Sequence, residues 1–117
     1  MSEKQTQREI LLALGSRPDV RMFKNPQGFF VSEQGWRITY GLHPGSSDLI
    51  GFRTLTILPE HVGRRVAVFV GAEIKTESGR VRPNQLVWQS VVRNFGGIAE
   101  VLRSTDDARL ITEWEPR

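Results

Sequence analysis

The chain has no cysteine in its 117 residues, so disulfides and thiolate metal sites are both excluded. Any bound metal must be held by oxygen or imidazole, and only two histidines, His43 and His61, are present. Both sit in loop-like segments without a second ligand at metal spacing, which favours a turn or surface role over zinc binding. No apolar run approaches the roughly 20 residues needed to span a bilayer. The polar start Met1-Ser2-Glu3-Lys4-Gln5 holds no secretory apolar region, so a cytoplasmic protein without membrane contact is expected. Lysine is scarce as well: Lys4, Lys24 and Lys75 are the only three.

What is there is mostly arginine. Lysine and arginine total 16 against 13 acids, giving a net charge of +3 and a pI of about 10.0. Guanidinium forks match phosphate oxygens two at a time, so the balance permits a nucleic-acid partner without establishing one. The apolar fraction of 38% and charged fraction of 25% are those of a globular domain, and the length suits one domain over residues 1–117.

Ser2 and Gln5 can form a capping box ahead of a helix over residues 3–14, with Ile10, Leu11 and Leu14 as its apolar stripe. Val20 to Phe23 and Phe29 to Val31 read as strands around an Asn25-Pro26-Gln27-Gly28 turn. Trp36, Ile38 and Tyr40 alternate as on a half-buried strand. A Gly/Ser/Pro loop over residues 41–47 delivers Asp48 to the apolar strand Leu49-Ile50-Gly51-Phe52. Pro59 to Gly63 reads as a single helical turn. The longest strand signal runs from Arg65 to Thr76, followed by a Ser78-Gly79 turn. Pro83 to Phe95 reads as a helix ending at Gly96-Gly97, then Ile98 to Leu102 as a strand and Ser104 to Asp107 as a helix opening. This order predicts an α/β fold, a central mixed β-sheet flanked by helices, with a right-handed parallel strand–helix–strand unit over residues 66–102.

Strand alternation puts Glu73 and Lys75 on one face, roughly 7 Å apart along the chain. The even-numbered residues Val66, Val68, Val70, Ala72 and Ile74 form the other face and are expected to line the core. Acid-x-Lys alone is weak, because 13 acids and three lysines give about a one-in-three chance of a random match. Asp48 strengthens the pattern. It enters a strand that could pair with that of Glu73, and neighbouring strands lie about 4.8 Å apart, close enough for two carboxylates to share a hard cation.

The segments Gly45-Ser46-Ser47-Asp48-Leu49-Ile50-Gly51 and Phe69-Val70-Gly71-Ala72-Glu73-Ile74-Lys75-Thr76, followed by Asn84-Gln85 at a helix start, resemble the virus-type replication–repair nuclease (VRR-NUC) domain of the PD-(D/E)xK superfamily. Phe95 to Ala99 and Leu102 to Asp107 resemble its closing strand and helix, and the likeness runs from about residue 5 to residue 108. Ser47 stands where the superfamily name places proline.

The resemblance implies a restriction-endonuclease-like PD-(D/E)xK core and a Mg²⁺- or Mn²⁺-dependent DNA endonuclease. It implies metal binding by Asp48, Glu73 and the Ile74 carbonyl, Lys75 acting on the attacking water, and Gln85 supporting a ligand carboxylate or the phosphate. Glu9 falls where these nucleases often carry a further acid. Stand-alone relatives of phage and bacterial type imply a homodimer that resolves four-way (Holliday) junctions in DNA repair, in a bacterial or phage-infected cell. A flap or nicking nuclease and a non-catalytic nucleic-acid-binding module are the alternatives. Arg80 and Arg82, and less strongly Arg93 and Arg103, could grip phosphates. Lys24 and Asn25 could touch the DNA backbone, although turn chemistry explains Asn25 equally well. Trp36, Trp88 and Trp114 could stack on bases, but Trp88 shares a helical face with Val91, Val92 and Phe95, so packing is its better reading.

Overall fold

The computed structural model describes residues 2–116, which fall into two compact units, Met1–Arg53 and Thr54–Arg117. The chain is mixed α/β, and among the described residues its strands form three two-stranded sheets. Among the described residues no helix is long and apolar enough to cross a membrane.

The first unit opens with helix α1 (Glu3–Gly15). Its capping box forms as the sequence predicts: the Gln5 backbone N–H donates to Ser2 Oγ, and the Ser2 backbone N–H donates to Gln5 Oε1. Helix α1 packs on strand β1 (Val20–Lys24), which pairs antiparallel with β4 (Leu49–Arg53). Arg17 and Arg53 both reach the Asp19 carboxylate, at 3.0 and 3.5 Å, and pin one end of this ribbon.

Asn25 closes the other end. Its backbone N–H donates to the Asp48 carbonyl at 2.9 Å, and its side-chain amide donates to Ser46 Oγ and the Ser47 carbonyl, both at 2.9 Å. Asn25 Oδ1 accepts from the Leu42 N–H at 3.1 Å. One short polar side chain thus replaces the backbone partners that the glycine-rich loop lacks. The strand after Asp48 has β1 as its antiparallel hydrogen-bonded neighbour.

Between β1 and β4 lies a hairpin of β2 (Gly28–Val31) and β3 (Arg37–Tyr40). The half-burial expected of Trp36, Ile38 and Tyr40 is not found: they are 71%, 40% and 49% exposed. A two-stranded ribbon has two faces and nothing of its own to cover either.

The second unit is a strand–helix–strand: β5 (Val70–Ile74), α2 (Pro83–Asn94) and β6 (Ile98–Leu102), with β5 and β6 parallel and Glu73 opposite Val101. A short 3-10 turn at Pro59–His61 precedes it, and Thr105–Ala108 leads into α3 (Arg109–Thr112). Proline at the start of α2 and Gly96 just past its end act as the sequence predicts. Gly96 has φ of 98°, a left-handed conformation that lets the helix stop and turn back. Val92, Ile98 and Ala99, at 1%, 5% and 1% exposure, form the small apolar core between helix and sheet.

Two expectations fail in this unit. Strand β5 occupies only Val70–Ile74, well inside the predicted span of residues 65–76, because β6 offers a ladder partner over just that length. The two faces of β5 are also reversed. The even-numbered Val70 and Ile74 are 42% and 71% exposed, whereas Gly71, Glu73 and Lys75 are partly covered. Helix α2 crosses on the odd-numbered side because it can pack there closely: Trp88 Nε1 lies 3.4 Å from where a Cβ on Gly71 would be. A polar face can be covered when its groups find hydrogen-bond partners, and on this face they do.

Candidate active site

Three of the predicted residues come together in the second unit. Strand parity projects Glu73 and Lys75 from one face of β5, and Lys75 Nζ lies 3.5 Å from Glu73 Oε1. Helix α2 then places Gln85 above them, and its Nε2 donates to the same Glu73 Oε1 at 2.7 Å. The Glu73 side chain is 33% exposed and that of Lys75 only 16%. One carboxylate oxygen therefore accepts an amide hydrogen bond and pairs with an ammonium, which fixes its direction and leaves Oε2 outside both contacts.

Gln85 is itself held from behind. Its Oε1 accepts the Arg82 backbone N–H at 2.9 Å, and its own backbone N–H donates to the Arg82 carbonyl at 3.0 Å. The side chain that caps the helix is thus the one that orients the acid, so helix start and site are built from the same atoms.

The chain after Lys75 is also tied down. Arg103 Nη1 donates to the carbonyls of Thr76 and Gly79, both at 2.7 Å, and to that of Glu77 at 3.3 Å. The Lys75 N–H donates to the Leu102 carbonyl at 3.1 Å. Arg103 acts here as a clamp on the turn. Arg93 donates through Nε to the Ala99 carbonyl at 3.0 Å and lies 3.8 Å from Glu100. Arg80 and Arg82 have exposed side chains beside the start of α2.

A cleft of about 230 Å³ opens at this place, lined by Gly71, Ala72, Glu73, Asn84, Gln85, Trp88 and Gln89. Trp88 meets Phe69 edge to face, with ring centroids 6.3 Å apart, which is the packing role that the sequence suggests. Gln89 is the residue that sequence reasoning missed. It lies four positions after Gln85, and that helical spacing was the available signal.

Asp48, Glu9, Lys24 and Asn25 belong to the first unit. Asp48 is exposed, just ahead of β4, with its carbonyl held by Asn25. Glu9 lies exposed on α1 and Lys24 exposed at the end of β1. Asn25, for which the sequence offers a turn role or a DNA-backbone contact, serves with its side chain the loop that carries Asp48. Both histidines have local roles: His61 Nδ1 accepts from the Leu58 N–H at 3.0 Å, and His43 Nδ1 contacts the Pro44 carbonyl at 2.8 Å. Within neither unit do three or more His, Asp or Glu side chains gather to hold a metal, among the described residues.

The VRR-NUC domain family matches residues 31–106, more than half of the chain. The protein belongs to the VRR-NUC family. Membership implies a nuclease of the PD-(D/E)xK type, with DNA as its substrate. The matched span includes Asp48, Glu73, Ile74, Lys75, Arg80, Arg82 and Gln85, and it leaves Glu9, Lys24 and Asn25 outside. It is shorter than the likeness over residues 5–108 read from the sequence. No curated protein and no solved structure matches the chain.

Proposed function

We propose that this VRR-NUC protein is a metal-dependent DNA endonuclease whose active site comprises Asp48, Glu73, Lys75 and Gln85. The observation that carries the reading is the Gln85–Glu73–Lys75 arrangement on the covered face of β5, inside the family match. The donor set is all oxygen, as a hard divalent cation requires, and the chain has no thiol to compete. Asp48, Glu73 and the Ile74 carbonyl would hold Mg²⁺ or Mn²⁺, with Glu9 reaching it directly or through water. When bound, such an ion polarises the scissile phosphate and acidifies a water.

The remaining work falls to the side chains. Gln85 holds Glu73 so that one carboxylate oxygen faces away from its two donors. Lys75 orients the attacking water or, in its neutral form, takes a proton from it, and as an ammonium offsets the charge that grows on the phosphate oxygens. Arg80, Arg82, Lys24 and, through its loop, Asn25 support the DNA backbone. The reading includes a PD-(D/E)xK core. It further includes a homodimer, whose two sites suit paired cuts on the strands of a four-way junction.

The test is cleavage of duplex, splayed, flap and four-way junction DNA with Mg²⁺ or Mn²⁺, beside Asp48→Ala and Lys75→Ala. Wild type should cut and both variants should not. Equal background cutting by all three proteins would overturn the reading. A preference for flaps over junctions would select the flap or nicking alternative, and light scattering reads the dimer.

A further inference from the structure

Among the described residues, Gln89 is the one buried polar side chain, at 4% exposure. Its Nε2 is sealed from solvent and has no hydrogen-bond partner among the described residues. A buried amide donor left unmade destabilises the fold, and native chains keep few of them. The next inward residue of α2, Val92, is 1% exposed and apolar, so this helix face accepts hydrocarbon readily. Methionine has nearly the volume of glutamine, and at position 89 it would remove the unmet donor. The chain carries an amide there instead.

Its placement points to a use. Gln89 lies one helical turn after Gln85 and lines the same cleft as Gly71, Glu73, Asn84 and Trp88. The cleft, at about 230 Å³, has the volume of several water molecules at roughly 30 Å³ each, room enough for a phosphodiester group. The terminal torsion of glutamine is broad and soft, so the amide can turn to present Nε2 to an acceptor seated in the cleft. Glu73 Oε1 already receives Gln85 and Lys75, and the nuclease reading gives Oε2 to the metal, so a further donor is matched best by an acceptor that arrives with a ligand. A phosphodiester oxygen suits it, being an anionic acceptor that stays unprotonated across the working pH range.

We propose that Gln89 donates its Nε2–H to a phosphate oxygen of the DNA strand seated in the Glu73 cleft, as a substrate-binding residue. The inference rests on the nuclease reading above and adds a contact to it.

Three proteins test it: wild type, Gln89→Met and Gln89→Glu. Melting is measured without DNA. Binding of a fluorescein-labelled duplex and of a labelled four-way junction is measured with Ca²⁺ replacing Mg²⁺, and kcat and KM are measured with Mg²⁺. Gln89→Met should melt about 4 °C higher than wild type, because the unmet donor is gone. It should also bind DNA about 10-fold more weakly, with KM rising more than kcat falls. Gln89→Glu should bind more weakly still, by repulsion. A Gln89→Met protein that melts below wild type, or that binds and cuts with wild-type constants, overturns the proposal and leaves the nuclease reading standing. Wild type that neither binds nor cuts DNA overturns both.

Discussion

The side-chain amide of Gln85 donates to Glu73 Oε1 at 2.7 Å, joining the first turn of α2 to the middle of β5. The same glutamine accepts the Arg82 N–H, so its two ends tie a helix cap to the acid. Without it, Lys75 is the partner left to that oxygen among the described residues.

Gln85→Leu should therefore lower cleavage by about 10-fold, the usual scale for losing a group that orients a ligand carboxylate. Gln85→Glu should be worse, because it sets a second carboxylate against Glu73. Metal titration by calorimetry would separate the two effects. Undiminished activity in Gln85→Leu would show that Glu73 needs no such support.

Lys75 should tolerate no cationic substitute. Its ammonium is compact, 3.5 Å from Glu73 Oε1 and mostly covered, whereas a guanidinium is longer, planar and effectively never deprotonated. Lys75→Arg should lose about 100-fold or more in kcat, similar to Lys75→Ala. Single-turnover cleavage checks this, and strong activity in the arginine variant would reduce the role of Lys75 to charge alone.

Arg103→Ala removes three donations to the carbonyls of Thr76, Glu77 and Gly79. Urea unfolding should show a loss of about 1–2 kcal/mol, modest because the site is exposed. Amide exchange should rise at the turn. Arg103→Lys should recover only part, since an ammonium on a flexible stem does not reproduce the planar fork.

Hydrogen bonds from Arg17 hold the Asp19 carboxyl below its ordinary range, and Asp19 in return raises the Arg17 guanidinium. A native value lower than the unfolded one favours the fold above the ordinary carboxylate range. That contribution is lost as pH falls through the native value. Arg17→Ala should move the Asp19 midpoint upward in a carbon-detected NMR titration; an unmoved midpoint would assign the shift elsewhere.

Most elements were legible in the sequence. The capping box at Ser2 and Gln5, the proline at the start of α2, the glycine past its end and the order of strands all follow from local chemistry. Local chemistry also put Glu73 and Lys75 on one face. It could not say which face of β5 the helix would cover. Hydrophobicity pointed to Val70 and Ile74, but the close approach of Trp88 to Gly71 and the amide of Gln85 favour the polar side. Strand pairing was equally out of reach: Asn25 fixes the end of the β1–β4 ribbon from more than twenty positions before Ser46 and Ser47. The family likeness pointed to Gln85, and only the four-residue helical spacing from it could have pointed to Gln89.

The Arg103 clamp also decides where the chain can be altered for practical ends. The turn after Lys75 looks, by its Ser78-Gly79 dipeptide, like a place to splice in an epitope or a fluorophore-accepting tag. Three of its carbonyls answer to one arginine 24 to 27 positions away, so an insertion there would disturb the lysine beside it. The β2–β3 tip is the safer port. Its hydrogen bonds are the short-range ones between Ser32, Gly35 and Trp36, so a graft there strains no distant carbonyl as it would beside Lys75.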